Sequence, residues 1–206
     1  MPIIEDFAPF PNTRILIWQI TETVDILLSK IQLDNSSKQI LDLKKKEIHK
    51  KQFLAIRNIL ELMSSEKYLV SYSELGKPYL NSKKNISVTH AGSYAALIVS
   101  DKQVGIDLEE FGEKIKKIEK KFLDVELDYP IDLSTSNLLV YWNIKESIFK
   151  SLENKPMDFR KNIIVLPLEK ENNKVKSWYI NNNEIYSFCS YYKVSKNYTL
   201  AYVIKE

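Results

Sequence analysis

Asp107 and Glu109 stand two residues apart in Val104-Gly105-Ile106-Asp107-Leu108-Glu109. The run reads as a β-strand, whose side chains alternate, so both carboxylates leave one face while Val104, Ile106 and Leu108 turn to the core. Two like charges side by side are unfavourable until a cation neutralises them. Magnesium suits that need, because it takes few protein carboxylates and completes its shell with waters and phosphate oxygens. Glu146 and Lys150 place a further carboxylate and an ammonium four residues apart, on one face of a strongly patterned helix over residues 138–152. His90 follows Ser87-Val88-Thr89 and precedes the small residues Ala91-Gly92, where a ligand can approach closely. A histidine there donates to a phosphate oxygen or takes a proton. Gly76-Lys77-Pro78 presents a lysine from a rigid turn, a point charge for phosphate. Each of these also has an ordinary reading: an acidic strand end, a surface ion pair, a structural histidine, a plain turn. Arg57, one turn after Phe53 in a helix, has the ordinary role of covering apolar surface with its stem.

These groups need a scaffold. Residues 14–20 read as a buried strand, followed by a short helix over 24–31. Ser36-Ser37 offers an N-cap for a longer helix whose apolar positions run to Met63, with a break near His49. Strands are expected over 68–72, 86–89, 94–100 and 104–108, with Asp101-Lys102-Gln103 as a hairpin turn between the last two. Residues 115–123 read as a basic helix, and Ser134 or Ser136 caps the helix that carries Glu146. Trp142, Ile148 and Phe149 surround that helix's charged face with apolar rings and side chains, while Lys145 and Ser147 are unusually polar for a buried stretch. Strands over 175–180, 184–192 and 198–204 complete the chain. Helices followed by antiparallel sheet occur in each half. The expectation is an α+β protein of two similar α/β lobes, residues 1–100 and 101–206, in a pseudo-two-fold arrangement with the site in the cleft between them.

Composition narrows the classes of function. Thirty basic and 27 acidic residues give a net charge of +3, too balanced for a general nucleic-acid binder. Lysine is concentrated locally, at Lys44-Lys45-Lys46 with Lys50 and Lys51, and at Lys114, Lys116, Lys117, Lys120 and Lys121. Such clusters are solvated helix faces or surfaces that meet phosphates or an acidic protein partner. A single cysteine, Cys189, excludes an internal disulfide framework, and with two histidines it leaves no structural zinc site of the usual kind. No apolar run is long enough to span a membrane, and the N-terminal residues do not read as a signal peptide. The expectation is a cytoplasmic protein with no membrane or nucleic-acid partner. Among only four glycines there is no glycine-rich phosphate loop, which disfavours other magnesium-dependent phosphotransferases.

The order of the motifs is more specific than any one of them. Gly76-Lys77-Pro78, Ile86-Ser87-Val88-Thr89-His90, Val104-Gly105-Ile106-Asp107-Leu108-Glu109 and Trp142-x-x-Lys145-Glu146-Ser147-x-x-Lys150 together resemble the 4′-phosphopantetheinyl transferase superfamily, in its larger, pseudo-dimeric, surfactin-synthetase-activating branch. The resemblance covers roughly residues 50–155, including Phe53-Leu54-Ala55-x-Arg57 and Ile118-x-x-Lys121-Phe122-Leu123-x-x-Glu126. Two positions depart from the family pattern. Thr89-His90-Ala91 replaces Ser-His-Ser, which keeps the hydroxyl before the histidine and removes the one after it, and Phe122-Leu123 replaces Phe-Phe.

The resemblance implies transfer of 4′-phosphopantetheine from coenzyme A to a serine of an apo carrier protein of acyl, peptidyl or polyketide type, releasing 3′,5′-ADP. It implies that Asp107, Glu109 and Glu146 hold magnesium. Glu146 takes the serine proton, directly or through a metal-bound water, and Lys150 neutralises or protonates the leaving diphosphate oxygen. His90 and Thr89 bind phosphate, as do Lys77 and Arg57 at the 3′-phosphate or nearby, with Lys51 a further contact. A pseudo-dimer carries both lobes in one chain, so a monomer is expected. The alternative is a relative that binds coenzyme A or a carrier without transfer.

Overall fold

A computed structural model of the chain describes residues 3–63, 69–74, 76–152, 157–169, 173–181 and 184–206. The protein is mixed α+β with three sheets. Strands β1 (Ile3–Phe10), β2 (Thr13–Gln19), β5 (Asn85–Ala91) and β6 (Tyr94–Ser100) form an antiparallel sheet in the order β1-β2-β6-β5. Strands β3 (Val70–Tyr72) and β4 (Pro78–Leu80) make a separate small ribbon. Strands β7 (Val104–Glu110), β8 (Ile163–Val165), β9 (Lys174–Asn181), β10 (Glu184–Val194) and β11 (Tyr198–Lys205) form the third sheet, ordered β7-β11-β10-β9-β8. Each large sheet draws its strands from one half of the chain, and the crossing occurs at residues 101–103. Among the described residues no helix is long and apolar enough to cross a membrane.

Helices α1 (Val24–Ser29), α2 (Asn35–Asp42) and α3 (Glu47–Met63) belong to the first half, and α4 (Thr135–Ser151) and α5 (Phe159–Asn162) to the second. The inward side chains of α3, among them Leu54, Ala55 and Ile59, share a core with Leu16, Trp18 and Leu97 of the first sheet. Helix α4 buries Leu138, Tyr141, Ile144 and Ile148 in a core with Phe188, Ala201 and Val203 of the third. A further core joins the two sheets themselves: Ile15, Ile17, Ala96 and Ile98 meet Ile106, Leu108, Tyr198 and Leu200. Each of these side chains removes roughly 1.5–3 kcal/mol of apolar surface from water, Ala less, so the shared core ties the halves firmly.

Several expected elements differ. Residues 101–103 are no hairpin turn, because β6 already pairs with β2 and β5 on its two edges and β7 joins a different sheet. The long helix is broken at residues 43–46, earlier than His49, and Asp34 rather than Ser36 caps α2 by accepting from Ser37 N at 2.7 Å. Residues 113–121 form two short 3-10 turns, Glu113–Lys117 and Glu119–Lys121, instead of one α-helix. Neither start has a side-chain cap, and with so few residues each turn stops at 3-10 geometry. Ser134 does occupy the N-cap of α4, but its hydroxyl makes no cap bond. Strands β1, β4 and β8 are additional, and Tyr68, expected in a strand, lies outside the described residues.

Candidate functional site

The site grows from the line where the two large sheets meet. Ile106 N donates to Ser87 Oγ at 3.1 Å, and Leu108 N donates to Thr89 Oγ1 at 3.2 Å. Both pairs advance together along the chain, so β5 and β7 run in the same direction, joined by hydroxyls rather than by a backbone ladder. Thr89 Oγ1 in turn donates to Asp107 Oδ1 at 3.0 Å. Asp107 is only 4% exposed, and its other oxygen, Oδ2, is buried without a hydrogen-bond partner. An orphaned carboxylate oxygen at such depth is costly, and it marks a place for a proton, an ion or a ligand.

Helix α4 brings the remaining charged groups to Asp107. It lies so close to β7 that a Cβ on Gly105 would collide with the Ser147 carbonyl oxygen. Ser147 Oγ donates to Ala201 O at 3.1 Å, and Asn143 Nδ2 to Thr199 O at 3.0 Å, fixing the helix on the neighbouring strand β11. Lys150 Nζ then donates to Asp107 Oδ1 at 2.6 Å and to Ile106 O at 3.2 Å. Glu146, one turn before, has its carboxyl pushed up to about 7 by burial and by the charge of Asp107. Glu109 is pushed up to about 7 by the same two causes in the same order, offset in part by Lys150 and by a hydrogen bond from Trp142. The three carboxylates thus feel one another. Among the described residues, no three His, Cys, Asp or Glu side chains converge closely enough to hold a metal as they stand.

Two adjoining cavities open beside this cluster. One, of about 170 Å³, is lined by Gly76, Lys77, Pro78, Ser87, Val88, Phe149 and Lys150. The other, of about 270 Å³, is lined by Ile40, Lys44, Phe53, Ile56, Tyr72, Gly76, Val88 and His90. Gly76, held at φ +81, and Val88 belong to both walls. His90 reaches solvent at one edge, yet loss of water around its ring, followed by the charge of Lys150, holds its pKa below the usual histidine value. A neutral imidazole in that place can donate or accept.

Other expected site residues have different surroundings. The Thr89 hydroxyl is spent on Leu108 and Asp107, so it orients the carboxylate rather than facing a ligand. Arg57 is buried behind the second cavity, its guanidinium 4.8 Å from the Phe53 ring and 5.6 Å from that of Tyr72, with Nη2 donating to the Tyr72 hydroxyl at 3.2 Å. It holds those two lining rings and does not line the cavity itself. Lys51 pairs with Glu47 at 3.0 Å on the exposed surface of α3. Lys145 and Glu126 form a fully buried ion pair at 2.7 Å. Lys145 also donates to Phe159 O and Ile163 O, and Glu126 accepts from Val165 N, so this pair ties the 113–128 segment to α4 and β8. Sequence reasoning gave no role to Ser87 or Tyr72, and it placed Trp142 beside Glu146 without its hydrogen bond to Glu109. Trp142 had a visible signal, since it lies one turn before Glu146. Neither family models nor curated proteins provide a match to this chain.

Proposed function

We propose that this protein transfers the 4′-phosphopantetheine arm of coenzyme A to a serine of an apo carrier protein, releasing 3′,5′-ADP, as a monomer in the cytoplasm. The observation that carries the reading is the buried Asp107 with its orphaned Oδ2, flanked by Glu109, Glu146 and Lys150, beside two cation-bearing cavities. The donor set fits magnesium: all oxygen, with two carboxylates that their surroundings drive toward protonation and that a cation would return to the charged form. Asp107, Glu109 and Glu146 would hold the ion. Magnesium, when bound, offsets negative charge on the coenzyme A diphosphate.

The remaining work falls to the chain. The serine oxygen forms a bond to the pantetheine-bearing phosphorus as the bond to the bridging diphosphate oxygen breaks. Glu146 takes the serine proton. Lys150 neutralises or protonates the departing oxygen, while Lys77 and His90 bind phosphate in the two cavities. Thr89 keeps Asp107 oriented, and Arg57 keeps Phe53 and Tyr72 in place. The reading of residues 1–100 and 101–206 as two lobes, with the site in a cleft between them, is supported by the sheets' separate origins. Site residues also come from both halves.

We propose the carrier surface at residues 115–123, where Lys116, Lys117, Lys120 and Lys121 outnumber the acidic Glu119. Carriers acidic around their target serine would meet this patch. Reversing Lys117 and Lys120 to glutamate raises the Michaelis constant for the carrier and spares that for coenzyme A; unchanged carrier kinetics would remove the assignment. The decisive experiment incubates labelled coenzyme A, magnesium and several apo carriers with wild type, Asp107→Ala and Glu146→Gln. Label moves to the carrier with wild type only, while both variants keep the folded circular-dichroism spectrum. Coenzyme A binding without transfer by wild type establishes a non-catalytic relative instead.

A further inference from the structure

We infer that Lys150 is a resident counter-ion of the metal-free protein, occupying Asp107 until a divalent cation exchanges for it. The inference rests on the magnesium reading and adds to it. There, Lys150 serves the departing diphosphate oxygen; here it has a prior position, which it leaves when metal arrives.

The geometry carries the argument. Asp107 is 4% exposed, and an ionised carboxylate at that depth needs an opposite charge. Lys150 Nζ supplies one at 2.6 Å, with a second bond to Ile106 O at 3.2 Å. Only Oδ1 is served: it takes both Lys150 and Thr89, while Oδ2 takes nothing. A carboxylate built solely as half of an ion pair would use both oxygens; one with a free inner oxygen keeps a coordinating position in reserve. Lysine suits a partner that must leave. It is a point charge on a flexible four-carbon stem, whereas arginine would grip both oxygens in a fixed fork. Room exists for the departure, since Lys150 also lines the 170 Å³ cavity that holds Lys77. A cation on Oδ2 and an ammonium 2.6 Å from Oδ1 of the same carboxylate repel across a few ångströms, so each weakens the other's hold on Asp107. The released ammonium is then free to meet an anion in the cavity, which couples metal arrival to diphosphate binding.

The test uses magnesium alone, without coenzyme A or carrier, titrated calorimetrically into the full chain as wild type, Lys150→Met, Lys150→Arg and Asp107→Asn. Removing the competing charge is expected to tighten magnesium binding in Lys150→Met by about tenfold. Lys150→Arg binds more weakly than wild type, and Asp107→Asn loses the site. A second measurement needs no variant: acetylation of Lys150 in wild type, followed by mass spectrometry, should rise severalfold on saturation with magnesium. Wild-type binding together with an unshifted Lys150→Met, or labelling of Lys150 that does not rise, overturns the exchange and leaves the metal reading standing. Absence of magnesium binding in every form overturns both. If Lys150→Met does not fold, the labelling of wild type decides.

Discussion

Replacing Gly105 by alanine tests how the fold sets the site. A methyl there overlaps the Ser147 carbonyl oxygen, and lies 2.7 Å from its carbon and 3.1 Å from Ser151 N. Ordinary carbon contacts sit at about 3.5–4.0 Å, so α4 must retreat from β7 by roughly 1 Å. Both obstacles are backbone, and no rotamer change removes them. Overpacking of this kind costs about 1–3 kcal/mol, and the stiffer unfolded chain returns about 0.4–1 kcal/mol. A net loss of about 1.3 kcal/mol lowers the melting temperature by about 3–5 °C in a chain of this size. The same retreat moves Glu146 and Lys150 away from Asp107, and a displacement of about 1 Å at a catalytic group reduces turnover on the order of a hundredfold. Thermal melts followed by circular dichroism, with label transfer to an apo carrier, measure the two effects. Gly112→Ala, which meets nothing within 4 Å, is the control: it should leave transfer unchanged and raise the melting temperature by about 1–4 °C. A melting temperature for Gly105→Ala equal to or above wild type would refute the close-approach reasoning.

Two further outcomes follow from the charged groups. Glu126→Gln leaves Lys145 buried without its counter-charge and should cost about 3–5 kcal/mol in urea unfolding, whereas the paired change Glu126→Leu with Lys145→Met recovers most of that loss. Glu109 and Glu146 have folded pKa values raised to about 7, so the folded state binds more protons than the unfolded one between the ordinary glutamate value and 7. The metal-free protein therefore loses stability as pH rises through that window. Melts in a chelator from pH 4.5 to 8 check this, and Glu146→Gln should flatten the slope.

The charged groups of the candidate site were the legible part of the sequence, because they sit on regular periods. The alternation across Val104–Glu110 put Asp107 and Glu109 on one face with Ile106 and Leu108 in the core, as observed. The four-residue step from Glu146 to Lys150 lay on a helix found within three residues of its expected start. What escaped were features decided by distant partners. Strand β1 hides behind Glu5, Asp6 and Pro9, which discourage a strand reading. Glu5 is accommodated because Tyr198 and Lys193, nearly two hundred residues away, donate to it. Lys145 reads as a polar intrusion in an apolar helix until Glu126 meets it. Arg57 and Thr89 were located on the correct elements, but neither residue's partners, Tyr72 and Asp107 respectively, are adjacent in sequence.

The hydroxyls of Ser87 and Thr89 have a consequence for how the two sheets separate. Strand β7 is the edge of its sheet, but that edge is buried rather than open to another chain. Two of its amides, those of Ile106 and Leu108, are taken by side-chain oxygens from β5. Valine at either position would keep the shape and the preference for extended backbone, yet leave an amide buried without a partner, at about 1–3 kcal/mol. The oxygens that orient Asp107 thus also rivet one sheet to the other, and their removal should appear first as a lower melting temperature.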